Sequence, residues 1–132
     1  MKRREFLKTA CLASACLLSA CKSTIQHVQS TRQGNKLVAE KTLFNTKTTV
    51  AIAHEGYSIG IVKLDNNNFA ASKLICSHRG CAVTPNENGF ICPCHGARFD
   101  KLGQVTKGPA EENLVSYITS TDQQFVYIQL SE

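Results

Sequence analysis

Residues 76–100 read CSHRGCAVTPNENGFICPCHGARFD. This stretch holds four of the chain's seven cysteines and two of its four histidines. Two pairs stand in it: Cys-x-His, at Cys76 and His78, and Cys-x-x-His, at Cys92 and His95, with thirteen residues between His78 and Cys92. Two thiolates plus two imidazoles form a donor set for a soft or borderline metal centre. A further cysteine lies in each half, Cys81 and Cys94, and the remaining three, Cys11, Cys16 and Cys21, are confined to the N-terminus. Cysteines so segregated are a poor match to random scatter.

Outside this block the composition excludes more than it assigns. A chain of 132 residues is enough for one small domain once a targeting segment is removed. The net charge of +5 is misleading, because residues 1–20 alone carry Lys2, Arg3, Arg4 and Lys8 against Glu5. The rest has a net charge of only +2 and no basic run, and the chain has no Trp. Nucleic-acid binding is therefore not expected.

The N-terminus reads as an address. Residues 2–8 are KRREFLK, and the paired arginine followed by x-Phe-Leu-Lys resembles the twin-arginine export signal. Thr9 to Ala20 is an apolar stretch of about a dozen residues, too short for an ordinary membrane-spanning helix and the right length for a signal-peptide core. It ends in Leu18-Ser19-Ala20-Cys21, which resembles a bacterial lipobox. Cleavage after the small residues would leave Cys21 as the mature N-terminus, with its thiol taking a lipid. Residues 1–20 are thus expected to be the signal peptide, and polar residues 21–35 a tether. Residues 36–132 would be the folded domain. Such an exported domain would sit in the bacterial envelope, on the periplasmic side of the inner membrane or on the outer membrane.

That domain reads as β-rich. Leu37-Val38-Ala39 opens a first strand, and Thr48 to Ala53 is β-branched and apolar. Tyr57 to Leu64 alternates as a half-buried strand should, and Asp65-Asn66-Asn67-Asn68 is a turn. Phe69 to Ile75 delivers Cys76, and Lys101-Leu102-Gly103 is a second turn. Leu114 to Thr119 and Phe125 to Leu130 close the chain as strands, with Thr121-Asp122 between them. His54 reads as a turn or surface residue, because no cysteine or carboxylate partners it at ligand spacing; His27 reads as an exposed tether residue. No amphipathic helix is evident. Strands at short intervals with Gly, Asn and Asp turns predict an all-β fold, a small antiparallel sandwich or barrel.

Two Cys-His pairs with an extra cysteine in each loop resemble the Rieske iron–sulfur family. The resemblance implies an antiparallel β fold with a small subdomain gripping a 2Fe–2S cluster. Cys76 and Cys92 would then bind one iron, and His78 and His95 the other. Two imidazoles in place of two thiolates donate less negative charge, so the family's potentials reach roughly −150 to +300 mV, above plant-type ferredoxins. Cys81 and Cys94 resemble the disulfide pair that ties the two loops in one branch of the family. Gly80 and Gly96 would let backbone N–H groups approach the sulfides. Gly108-Pro109-Ala110 matches the loop that shields the cluster. The same four ligands would also serve a structural zinc, but the extra cysteines, the flanking glycines and the export signal favour iron and sulfide.

Four departures from the family shape the expected function. Ala97 and Phe99 stand where quinol-oxidising members have a serine and a tyrosine whose hydroxyls donate to sulfur, so the potential is expected below the top of the family range. Arg79 follows His78 where those members have an apolar residue, which suits a partner with an acidic rim. The loop between His78 and Cys92 is also short, with Thr84 to Gly89 expected as a compact turn. The chain is therefore expected to be a one-electron carrier anchored to the membrane through lipid, serving a redox partner such as a cytochrome or an oxidoreductase subunit. The alternatives are a subunit of a cytochrome bc-type or arsenite-oxidase-like complex and, more remotely, a zinc-stabilised lipoprotein. No general base or nucleophile is evident.

Overall fold

The computed structural model describes residues 27–28 and 30–130. Among these residues thirteen short strands follow one another: β1 (His27–Val28), β2 (Thr31–Gln33), β3 (Lys36–Glu40), β4 (Thr49–His54), β5 (Tyr57–Lys63), β6 (Phe69–Lys73), β7 (Thr84–Asn86), β8 (Gly89–Ile91), β9 (Arg98–Asp100), β10 (Val105–Lys107), β11 (Ser116–Tyr117), β12 (Thr119–Thr121) and β13 (Phe125–Gln129). One 3-10 turn, Lys41–Phe44, joins β3 to β4 and buries Phe44 edge-on against Phe69. Among the described residues no helix is long and apolar enough to cross a membrane.

The strands form three sheets, ordered β1-β4-β5-β6-β11, β12-β13-β3-β2 and β10-β9-β8-β7. Among the described strands every pairing is antiparallel except β1 on β4. The fold is all-β, as the turn spacing predicts. The first two sheets pack face to face around Leu37, Ile52, Ile59, Ile61, Phe69, Val126 and Ile128. β13 contributes by strict alternation, with Val126 and Ile128 fully buried.

β5 is different, because its residues 59–62 are all buried. Ile59 and Ile61 face the sandwich, while Val62 packs with Leu74, Val83, Phe90 and the cluster-loop cysteines. A strand covered on both faces has no solvent side to alternate against. Gly60 lets the third sheet approach closely: a Cβ there would lie 2.8 Å from Leu74 Cδ2 and 3.0 Å from Phe90 Cε1.

Several expectations need correcting. The tether drawn at 21–35 is partly sheet: β2 pairs with β3 in register Thr31↔Val38 to Gln33↔Lys36, and β1 pairs with β4. Polar β2 is an exposed edge strand, so it carries no apolar periodicity to betray it. The strand expected over 114–119 is broken into β11 and β12, which join different sheets. Ile118, between them, is 78% exposed, and Thr119 Oγ1 donates to the Phe69 carbonyl at 2.8 Å. Thr121 ends β12, and the turn after it is closed by Asp122, whose Oδ1 accepts from the Gln124 and Phe125 N–H groups. The stretch 84–89 is a β-hairpin, β7 to β8, turning at Glu87-Asn88. His54 is no surface residue: its side chain is 10% exposed, set edge-on against the Tyr57 ring and 3.7 Å from the Glu55 carboxylate. The signal peptide, its lipobox and Cys21 lie outside the described residues, as does the side chain of His27.

Candidate metal centre

Two loops with matching backbone bonds carry the metal-ligand candidates. In the first, the Cys76 carbonyl accepts from the Gly80 N–H at 2.9 Å, and the Cys76 N–H donates to the Cys81 carbonyl at 2.7 Å. In the second, the Cys92 carbonyl accepts from the Gly96 N–H at 2.9 Å, and the Cys92 N–H donates to the Ala97 carbonyl at 2.8 Å. Each loop closes through a glycine with positive φ, +74° at Gly80 and +78° at Gly96. This left-handed backbone is the physical reason for glycine. An added Cβ at either position meets no other protein atom within 4 Å. The first loop continues β6 beyond Leu74, whose N–H donates to the Ser58 carbonyl at 2.8 Å. The second leaves β8 at Ile91 and returns as β9 at Arg98.

The two cysteines at the loop starts are buried and unbridged, 2% and 1% exposed. The two histidines are further out, His78 half-buried and His95 exposed. Their ring centroids are 5.0 Å apart at an interplanar angle of 88°. Hence thiols inside and imidazoles outside converge between the loops. Burial is the main cause raising the Cys76 thiol above its ordinary range; the N–H groups of His78 and Arg79 oppose this, and the adjacent Cys92 thiol adds to it. Two neighbouring thiols in such an apolar setting ionise when a metal cation is between them. The chemistry of this donor set fits a cluster with two thiolate and two imidazole ligands.

Cys81 and Cys94 form a disulfide, with Cα atoms 6.5 Å apart, linking the two loops across 13 positions of sequence. The sulfurs of Cys81, Cys92 and Cys94 lie within 4.8 Å of one another. Two of the three are already bonded to each other, so this triplet is not a ligand set; it places the disulfide against the Cys92 thiol. Ala97 and Phe99 are both buried in the apolar cluster around Cys76 and Cys92. Arg79 is exposed beside His78.

A third segment closes the site. Gly108 and Pro109, joined by a cis peptide, are exposed, and Ala110 after them packs into the cluster that includes Cys76 and Cys92. Ser77 Oγ donates to the Glu112 carbonyl at 2.7 Å, tying the first loop to this segment. Sequence reasoning missed Ser77, because its partner is 35 positions away and is a backbone atom.

The match to a family model, the Rieske [2Fe-2S] domain, covers residues 34–118. The chain belongs to the Rieske family. As a Rieske domain it takes a 2Fe–2S cluster. One relative, the ubiquinol-cytochrome c reductase iron–sulfur subunit of Rickettsia typhi, is 46% identical over 57 residues, covering 41% of this chain and 32% of that protein. Another, the cytochrome b6-f complex iron–sulfur subunit of Trichodesmium erythraeum, is 34% identical over 107 residues, covering 75% of this chain and 60% of that protein. The chain therefore spans from a third to three-fifths of the length of these relatives. Among solved structures, the plasma membrane Rieske protein of the cyanobacterium Synechocystis matches 68% of this chain and 94% of its own, with 27% identity and a TM-score of 0.62. The ferredoxin of carbazole 1,9a-dioxygenase from Nocardioides aromaticivorans shares the fold at 22% identity, with a TM-score of 0.57 over 79% of this chain and all of that one.

Proposed function

We propose that this Rieske protein is a one-electron carrier of the bacterial cell envelope, exported by the twin-arginine signal at Arg3-Arg4 and held to a membrane by lipid on Cys21. The observation that carries the reading is the convergence of buried Cys76 and Cys92 with outward His78 and His95 in two disulfide-linked loops. In this reading Cys76 and Cys92 hold the inner iron and His78 and His95 the outer one. When bound, the cluster supplies a single reversible electron. The chain's residues do the rest. The apolar wall of Leu74, Val83, Phe90, Phe99 and Ala110 excludes water from the thiolates. The His78 and Arg79 N–H groups offset part of the Cys76 charge. The exposed imidazole edge of His95 gives a short route to an acceptor, and the disulfide keeps both loops closed over the site. The twin-arginine route exports folded proteins, which suits a cluster built before export.

A second reading makes the chain a subunit of a cytochrome bc-type or arsenite-oxidase-like complex. The names of the two relatives, the iron–sulfur subunits of a ubiquinol-cytochrome c reductase and of a cytochrome b6-f complex, favour it. Arg79, Ala97 and Phe99 count against the quinol-oxidising form.

Low-temperature EPR of the dithionite-reduced protein tests the proposal, with iron and sulfide counted on the same sample. The expected result is a rhombic signal of mean g below 2 with equal iron and sulfide. His95→Cys should replace it by a ferredoxin-like signal or abolish it. A silent sample holding zinc and no labile sulfide would overturn the electron-transfer reading.

A further inference from the structure

Away from the cluster loops, a cleft of about 450 Å³ opens where the β2–β3 turn, the β4–β5 turn, Tyr117 of β11 and Leu130 meet. None of its lining residues belongs to loops 76–81, 92–97 or 107–110. It holds one imidazole and one carboxylate, His54 and Glu55, with the exposed Arg32 guanidinium beside them. The His54 side chain is nine-tenths buried, at 10% exposure. Its ring is set edge-on against Tyr57, with centroids 5.3 Å apart. Among the described residues no hydrogen bond reaches either ring nitrogen. No unpartnered side-chain nitrogen or oxygen of the described residues is sealed inside the protein, so the polar edge of His54 opens on the cleft.

Glu55 is strained. Among the described residues it is the one non-glycine residue with positive φ, at +43°. With Gly56, at +87°, it makes the two-residue turn between His54 and Tyr57, which pair across the hairpin. Such a turn needs positive φ at both positions, and Asn, Asp or Gly is the usual first residue. A glutamate there costs conformational energy. The cost has a geometric result. Along a strand, successive side chains point to opposite faces. The left-handed step at Glu55 breaks that alternation, and His54 and Glu55 both face the cleft, with Nε2 of His54 3.7 Å from Oε2 of Glu55.

That separation carries chemical information. A charge-assisted N–H···O bond would be about 2.8 Å long. Two bonds of about 2.1 Å from a tetrahedral ion put their donor atoms about 3.4 Å apart. The pair is therefore too far apart to bond to each other and close to the distance for sharing an ion. The other carboxylate oxygen, Oε1, is 3.5 Å from Arg32 Nη1, and Arg32 Nε donates to the Gly34 carbonyl at 3.0 Å. A guanidinium on the far oxygen orients a carboxylate towards a metal without taking the donor atom.

We propose that His54 and Glu55 form a second metal site, for a divalent ion of the zinc type, with water in the cleft completing four ligands. An imidazole and a carboxylate without a thiol suit a borderline cation. The bound ion clamps the β4–β5 turn and, through Glu55 and Arg32, holds it to the edge strand β2. The site is separate from the cluster loops and independent of the export and lipid readings.

The test uses the full chain with its cluster in place, so that an iron count reports any exchange at the cluster loops. Zinc binding is measured by equilibrium dialysis against zinc chloride, and the ligands are read by zinc-edge X-ray absorption. Wild type should bind a single zinc through nitrogen and oxygen, with no sulfur and no loss of iron, and zinc should raise its midpoint in urea unfolding. His54→Gln should weaken binding by at least about tenfold, since even the outer partners of a metal ligand are worth that much. Glu55→Asn is the stricter variant. Asn suits the turn, so without zinc this protein should be at least as stable as wild type, yet zinc should bind at least about tenfold more weakly and leave its urea midpoint unmoved. Equal binding by wild type and both variants would show an adventitious ion at another position and overturn the site. Sulfur in the zinc shell, or iron lost as zinc is taken up, would place the ion on cysteines and overturn it as well.

Discussion

At the scale of single residues, Ala97 and Phe99 are the positions proposed to tune the cluster. Both are buried in the same apolar cluster as Cys76 and Cys92, and neither carries a hydroxyl. A hydroxyl donating to sulfur stabilises the more negative, reduced state. One hydrogen bond is worth about 1 kcal/mol, and for a one-electron couple about 1.4 kcal/mol corresponds to 59 mV. Ala97→Ser and Phe99→Tyr should therefore each raise the midpoint potential by about 40 mV, measured by EPR-monitored redox titration. A wild-type potential at the upper end of the family range, or variants that leave it unmoved, would show that these positions do not face the sulfurs. The metal-ligand candidates themselves were legible in the sequence, because Cys-x-His and Cys-x-x-His are local patterns. Ser77 and His54 were not. What holds each is a partner or a burial that no local pattern records.

At the scale of elements, the two cluster loops are paired turns with matching backbone bonds, joined by Cys81–Cys94. Closing a loop of this length stabilises the fold by about 3 kcal/mol in the chain-entropy model. The double variant Cys81→Ala/Cys94→Ala should lose about that much in urea unfolding and lose its cluster faster on standing. Unchanged midpoint and cluster lifetime would mean that the loops hold themselves closed. Strand existence was mostly readable from alternation and turn residues, as in β4, β5, β6 and β13. The failures share one cause. β2 is a polar edge strand, β7 and β8 are three residues each, and the stretch 114–119 changes sheets at Ile118. In each case a strand exists because of a distant pairing partner and not because of its own periodicity.

At the scale of the molecule, two apolar cores share β5, one inside the sandwich and one beneath the cluster loops. Gly60 is the contact between them, 2.8 Å from Leu74 and 3.0 Å from Phe90 for any added Cβ. Gly60→Ala should overpack this junction and cost about 1–3 kcal/mol in chemical unfolding. It should also broaden the cluster's EPR signal, since Phe90 and Leu74 support both loops. A neutral effect would mean that the third sheet rides loosely on the sandwich. The residues alone were enough for the class of fold, the candidate donor set and the family, since ligand chemistry and strand periodicity are local properties of a chain. Only the tertiary structure decided how deeply each donor is buried, that the sulfurs of Cys81 and Cys94 meet, and that β1 lies parallel beside β4. Those follow from the pairing of strands far apart in sequence, whose register no short stretch encodes.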